Sequence, residues 1–268
     1  MDYEKIAPQL GDWAPKFKEF IESPDFQDIY KFLKKEGRKP PEGEGKIICP
    51  EHCNTFRAFR ECPFSKLRVI FILQDPYPWV KADKEGKLIY TADGMAMSCS
   101  NTGVCQPSLE LFYQGMEDNL GVPVPRHPDL SYLANQGVLL LNTSLTVEMN
   151  KPSSHGGLWD KFILYMFENV INFYTKGLIY VSFGKNAHIM AKTIVPFLHW
   201  GFEIEHPAAA AHKGREWEHD KIFTKINKIL KDCNEEQINW VYGADNSMVD
   251  EGARTVPKTG VGGKVRKD

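Results

Sequence analysis

The sequence predicts an α/β fold with three layers, α/β/α, around a central four-stranded parallel sheet. Two observations predict it. Residues 69–73 are apolar without alternation, which suits a strand buried on both faces of a parallel sheet. Further apolar runs over 137–142, 178–184 and 202–207 are separated by stretches with helical spacing, so strand and helix alternate through this half of the chain. Right-handed crossovers then place helices on both faces and bring the strand ends to one edge.

In chain order, Trp13, Phe17, Phe20 and Ile21 recur at helical spacing, as do Phe26, Ile29, Tyr30 and Leu33 before Gly37. Two short helices with a glycine stop follow from this pattern. Pro40, Pro41 and Gly43 make a loop, and 56–60 a further helix leading into the central strand. That strand is cut off at Gln74-Asp75-Pro76-Tyr77-Pro78, because neither proline can donate a ladder hydrogen bond and each biases its predecessor toward an extended conformation. The polar stretch 79–93 reads as a long loop, of a length that in compact domains is usually functional. Ser108 is placed to cap a helix running through Met116. The next strand ends at Asn142, a helix covers 159–173, a third strand runs to Gly184, and a fourth ends at His206 before Pro207. Residues 222–230 make an amphipathic helix with a basic face. From Ala244 the composition turns to Gly, Lys, Asp and Ser without periodicity, so 1–243 read as one domain and 244–268 as a flexible tail.

The 268 residues are enough for one large core, and the formal net charge of −2 argues against a protein that coats nucleic acid indiscriminately while leaving room for a local basic groove. The six cysteines contain no CxxC pair, so neither a zinc ribbon nor a thioredoxin-like site is supported. No apolar stretch approaches a membrane span and the amino terminus does not resemble a signal peptide; an intracellular protein with no membrane association, and a monomer, is expected.

At the shared sheet edge the topology gathers a carboxylate (Asp75), a carboxamide (Asn142) and an imidazole (His206), a set able to read and break down a planar, hydrogen-bonding ligand. The segments Pro50-Glu51, Phe56-Arg57-Ala58-Phe59, Pro63-Phe64, Gln74-Asp75-Pro76-Tyr77, Pro107-Ser108-Leu109, Gly137 to Asn142, Ser154-His155, Trp159 and His206-Pro207 resemble, in order and spacing, those of family 1 uracil-DNA glycosylases. The resemblance covers roughly residues 10–231.

It implies an enzyme that flips uracil out of DNA and hydrolyses its N-glycosidic bond without metal or organic cofactor. Asp75 would be the anion under the sugar and would position or activate the water. His206, as neutral imidazole, would donate to uracil O2. Asn142 would pair with O4 and N3–H, Tyr77 would close the space beside C5, and the backbone around Gln74 would add donors to the base.

Departures from the family pattern shape the remaining expectations. Leu73 and Pro78 replace the glycine and histidine that flank the family's Gln-Asp-Pro-Tyr, and Met97 replaces the aromatic that stacks on the base. The 79–93 stretch is longer than in the family. Where the family has His-Pro-Ser-Pro-Leu-Ser, this chain has His206-Pro207 followed by Ala208 to Ala211, so the leucine wedge becomes Ala210 and two phosphate-gripping hydroxyls are lost. Ser108 would keep one phosphate contact, with Lys213 and Arg215 as substitutes. Single-stranded DNA or mispaired duplex is the expected substrate, and a protein inhibitor or a replication partner is allowed for. The alternatives are a glycosylase for a modified pyrimidine, in a phage or antiphage role, and a catalytically weak glycosylase fold serving as a DNA-binding or processivity subunit.

Overall fold

The computed structural model describes residues 3–37, 45–194 and 199–243. The expected loop at Pro40, Pro41 and Gly43 and the tail from Ala244 lie outside the described residues.

Val69–Leu73, Val138–Asn142, Leu178–Phe183 and His199–Ile204 form one four-stranded sheet in which every pairing is parallel. Val69–Leu73 lies inside it, between Val138–Asn142 and Leu178–Phe183, while His199–Ile204 closes one edge. All five residues of Val69–Leu73 are buried, which is why that strand reads as an unbroken apolar run. The edge strand leaves Trp200, Gly201 and Glu203 exposed; with only part of it covered, its first three residues carry no apolar signal and the sequence reading began at Phe202.

Aromatic side chains join the sheet to its helices. Phe71 meets Phe112 of the helix Pro107–Leu120 at 6.1 Å between ring centroids, and stacks on Trp240 at 6.0 Å. Among the amino-terminal helices, Trp13 packs on Phe17 (5.9 Å) and Phe59 (5.3 Å), and Phe17 on Phe162 (4.8 Å). The two helices expected before Gly37 are Ala14–Glu22 and Pro24–Glu36, joined at Ser23, whose hydroxyl accepts from the Phe26 N–H; a third, Tyr3–Leu10, precedes them.

Four local readings change. Residues 79–93 hold a β-hairpin, Val80–Ala82 paired antiparallel with Leu88–Tyr90, and its turn is fixed by Asp83 Oδ1 accepting from the N–H groups of Glu85 and Lys87. Strands of three residues carry too little periodicity to read, and the Asp83-to-Gly86 turn chemistry was the available signal. The helix expected over 159–173 is α-helical only over Asp160–Met166 and widens to a π-helix over Phe167–Ile171, which keeps Phe167, Val170 and Ile171 all buried. Ser108 does not cap its helix: Gln106 occupies the N-cap position, Pro107 begins the helix, and the Ser108 hydroxyl turns to Tyr77.

The fourth change concerns Pro207–Lys213, which is a helix. Alanine is the strongest helix former, Pro207 suits the first turn, and Gly214 at φ +61° ends it. Ala210 points into the core with no exposed surface, so it cannot stand where a DNA-facing wedge would stand. Ala210→Leu is therefore expected to overpack the core and cost roughly 1–3 kcal/mol. A urea unfolding midpoint equal to the parent's would show instead that the helix has room for the larger side chain.

Among the described residues no helix is long and apolar enough to cross a membrane.

Candidate active site

The buried strand Val69–Leu73 and its neighbour Val138–Asn142 stay paired past their ends: Thr143 N–H donates to the Leu73 carbonyl and Ser144 N–H to the Gln74 carbonyl, both at 2.9 Å. Leu73 is in register with Asn142, so Asp75 and Asn142 emerge from adjacent strands at one edge. Asp75 is half-buried, and its Oδ2 takes three hydrogen bonds, from Ser153 N–H (2.9 Å), Ser153 Oγ (3.2 Å) and Gln74 Nε2 (3.1 Å). Among the described residues none falls on Oδ1. Burial raises the Asp75 pKa, and the three donors only partly offset it.

Gln74 serves this carboxylate rather than standing free. Its Nε2 also donates to Ser153 Oγ (2.7 Å), and its Oε1 accepts from Asn186 Nδ2 (2.9 Å) at the start of the helix Lys185–Ala191. Ser153 holds a left-handed backbone, φ +61°, uncommon outside glycine. Ser153 and Asn186 were missed by sequence reasoning. Ser153 adjoins the Ser154-His155 pair and could have been suspected, while Asn186 carries no motif.

Asn142 is 5% exposed, and its Oδ1 is buried with no hydrogen-bond partner among the described residues. An orphan acceptor in a folded core is costly unless a ligand satisfies it.

Tyr77 is pinned. Its phenol donates to the Met97 carbonyl (3.3 Å) and shares a 2.7 Å hydrogen bond with Ser108 Oγ, and burial keeps it protonated by pushing its pKa up. Ser108, itself buried, is thereby engaged inside the site.

Met97 is buried at φ +62° in a turn built around Asp93. Asp93 accepts from Met95 N–H (3.2 Å), Ser98 Oγ (2.6 Å) and Ser100 N–H (3.0 Å), and it pairs with Arg57 Nη1 at 2.6 Å. Gly94 makes the turn fit: a Cβ there would lie 1.9 Å from the Asn54 carbonyl oxygen.

His206 is the N-cap of Pro207–Lys213, and its Nδ1 accepts the Ala208 N–H at 3.0 Å. An Nδ1 that accepts leaves the proton of the neutral ring on Nε2. Burial lowers the His206 pKa to about 4, so the ring is neutral at physiological pH. Gly184 lies beneath it, where a Cβ would come within 3.3 Å of His206 Cβ.

Two expected DNA contacts are otherwise engaged. Arg215 Nη2 bonds both carboxylate oxygens of Glu205, at 2.6 and 2.7 Å, and Lys213 Nζ lies 3.8 Å from the same group.

A parallel sheet whose edge offers a desolvated carboxylate, an unpartnered carboxamide oxygen and a neutral imidazole N–H is a receptor for a flat, hydrogen-bonding heterocycle. No family model matches the chain. It is, however, 31% identical over 229 residues to the uracil-DNA glycosylase of Coxiella burnetii (strain RSA 493 / Nine Mile phase I), spanning 85% of this chain and 93% of that protein. It is 30% identical over 245 residues to that of Acinetobacter baylyi, spanning 90% and 97%. The fold is similar to the crystal structure of mimivirus uracil-DNA glycosylase, with TM-score 0.75, 21% identity, and 90% of each chain covered. A variant of the mimivirus protein in complex with UGI matches similarly, at TM-score 0.76, 21% identity, and 90% and 91% coverage. The chain belongs to the uracil-DNA glycosylase family.

Proposed function

We propose that the chain hydrolyses the N-glycosidic bond of uracil in DNA. As the bond between C1′ and N1 breaks, positive charge develops on the sugar and negative charge on the base. Asp75 stabilises the first, with Oδ1 turned to the attacking water, while the Nε2–H of His206 donates to uracil O2. Ser153 and Gln74 hold the carboxylate in place through Oδ2, and Asn186 in turn holds Gln74.

The observation that carries the reading is the orphan Oδ1 of Asn142. Uracil presents a donor at N3 and an acceptor at O4, which the carboxamide matches with Oδ1 accepting and Nδ2 donating; cytosine, with an acceptor at N3 and a donor at N4, requires the amide to turn over. Tyr77, pinned by Ser108 and Met97, closes the space beside C5 and favours uracil over bases with bulky 5-substituents. A tyrosine held by two hydrogen bonds speaks against the modified-pyrimidine alternative, and a binding-only subunit has little need of a half-buried Asp75.

Single-stranded or mispaired DNA is the substrate this reading favours, because the helix Pro207–Lys213 offers no wedge larger than alanine. A protein inhibitor as partner rests on the mimivirus complex alone.

Free uracil released from oligonucleotides tests the proposal. The parent is expected to release uracil and to spare cytosine, and Asn142→Asp to shift release toward cytosine, since a buried protonated carboxyl presents a donor to N3 and an acceptor to the N4 amino group. No uracil release by the parent would overturn the proposal, and loss of uracil release with no gain on cytosine would remove Asn142 as the edge reader.

A further inference from the structure

Trp79 is 45% exposed, yet its ring is stacked on Tyr77, with centroids 5.7 Å apart and planes at 22°. The tyrosine beneath it is fixed by Ser108 and Met97. The backbone at Trp79 is fixed too: its carbonyl accepts from Thr91 N–H (2.9 Å), and the preceding Pro78 carbonyl accepts from Asn150 N–H (2.7 Å). An indole held from below and behind with its remaining surface in solvent is a preformed stacking platform, four residues along the chain from Asp75. Packing of the half-buried Val80 and Tyr90 against Cys49, Ala92 and Val147 seats the hairpin on the body of the protein.

The hairpin also carries charge. Lys81, Lys84 and Lys87 are all exposed against a single exposed acid, Glu85, while Asp83 is half-buried and accepts hydrogen bonds within its own turn. At the neighbouring strand end Ala208 to Ala211 offer no side-chain donor, and both Lys213 and Arg215 face Glu205. Grip on the nucleic acid has a better footing on the hairpin than on that helix.

We propose that Trp79 is a binding site for a base of the DNA strand next to the one being excised, stacking it on the outer indole face while the hairpin lysines lie along its phosphates. The inference rests on the uracil-excision reading for its register with Asp75. Every base has a π-face, so the site is indifferent to sequence, and it needs an unpaired neighbour, so it favours single strands.

Steady-state uracil release by the parent, W79A and W79F tests this on a single-stranded oligonucleotide and on the same strand with the bases flanking uracil replaced by abasic residues. W79A is expected to raise KM about tenfold on the complete strand, with the effect falling on KM rather than kcat, and to match the parent on the strand lacking flanking bases. W79F, which keeps a stacking ring, is expected to recover most of the loss. An unchanged KM for W79A on the complete strand, or the same loss on both strands, would overturn the proposal. Should the parent release no uracil, the excision reading falls and the stacking site is read by anisotropy with a uracil-free oligothymidylate. Tighter binding by the parent than by W79A then supports the site, and equal binding overturns it.

Discussion

Asp75→Asn is expected to lower uracil release by roughly a hundredfold or more while leaving the protein at least as stable as the parent. The two effects share one cause. Burial raises the Asp75 pKa above its ordinary value, so the native state holds the proton more tightly than the unfolded chain does. The stability this provides is present below the unfolded pKa and is lost as pH rises through the raised native value. At neutral pH the native protein therefore carries a desolvated carboxylate at a cost, in the place where charge on the sugar needs it. Asparagine keeps an oxygen for Ser153 N–H and Gln74 Nε2 and removes the charge. Thermal unfolding should show the variant's midpoint equal to or above the parent's at pH 7, with any advantage shrinking in acid. Equal release rates would remove Asp75 from the mechanism, and a clearly lower midpoint would show that its hydrogen bonds outweigh its desolvation.

Arg57→Ala is expected to be the most destabilising of the substitutions considered, at about 3–5 kcal/mol. Arg57 pairs with Asp93, Asp129 and Glu61, and Asp93 is 1% exposed. Removing the guanidinium leaves a buried carboxylate without its cation, and that carboxylate also anchors Met95, Ser98 and Ser100 around Met97. The loss should therefore reach the base pocket as well as the fold. Urea unfolding of R57A, D93N and the double variant checks it: the double variant should lose less than the sum of the singles, because neutralising Asp93 removes the charge that R57A strands. Strict additivity would mean the pair is not coupled.

The strands whose burial is total were legible in the sequence, because a run such as Val69–Leu73 can be apolar at every position only if both faces are covered. Their ends followed, and with them the common placement of Asp75, Asn142 and His206. Elements that depend on few residues were not legible. The hairpin has strands of three residues, and the edge strand His199–Ile204 is half polar. Pro207–Lys213 departs for another reason: four alanines stand where the family has Ser-Pro-Leu-Ser, and their own propensity is helical. The side-chain network around Asp75 was invisible for a third reason, since Ser153 and Asn186 reach Asp75 and Gln74 from 78 and 112 positions along the chain, and no spacing rule links them. The residues offered as phosphate contacts illustrate the same limit, because the sequence does not say that Ser108 is claimed by Tyr77 or Arg215 by Glu205.

In the proposed reaction an ionised Asp75 and a neutral His206 divide the charge between them, Asp75 facing the sugar and His206 the departing base. The most direct test of this division is the rate of uracil release from a single-stranded oligonucleotide between pH 4 and pH 9. With Nδ1 held by Ala208 and its pKa lowered to about 4, His206 is already neutral well below its ordinary titration range and stays so above it. The rate is expected to fall only on the acid side, as Asp75 and His206 take up protons, and to be level from about pH 6.5 upward through the range where an unperturbed histidine has lost its charge. A rate that instead declined as pH rose through about 6.5 would mean that a protonated histidine is required, and would contradict this division of charge.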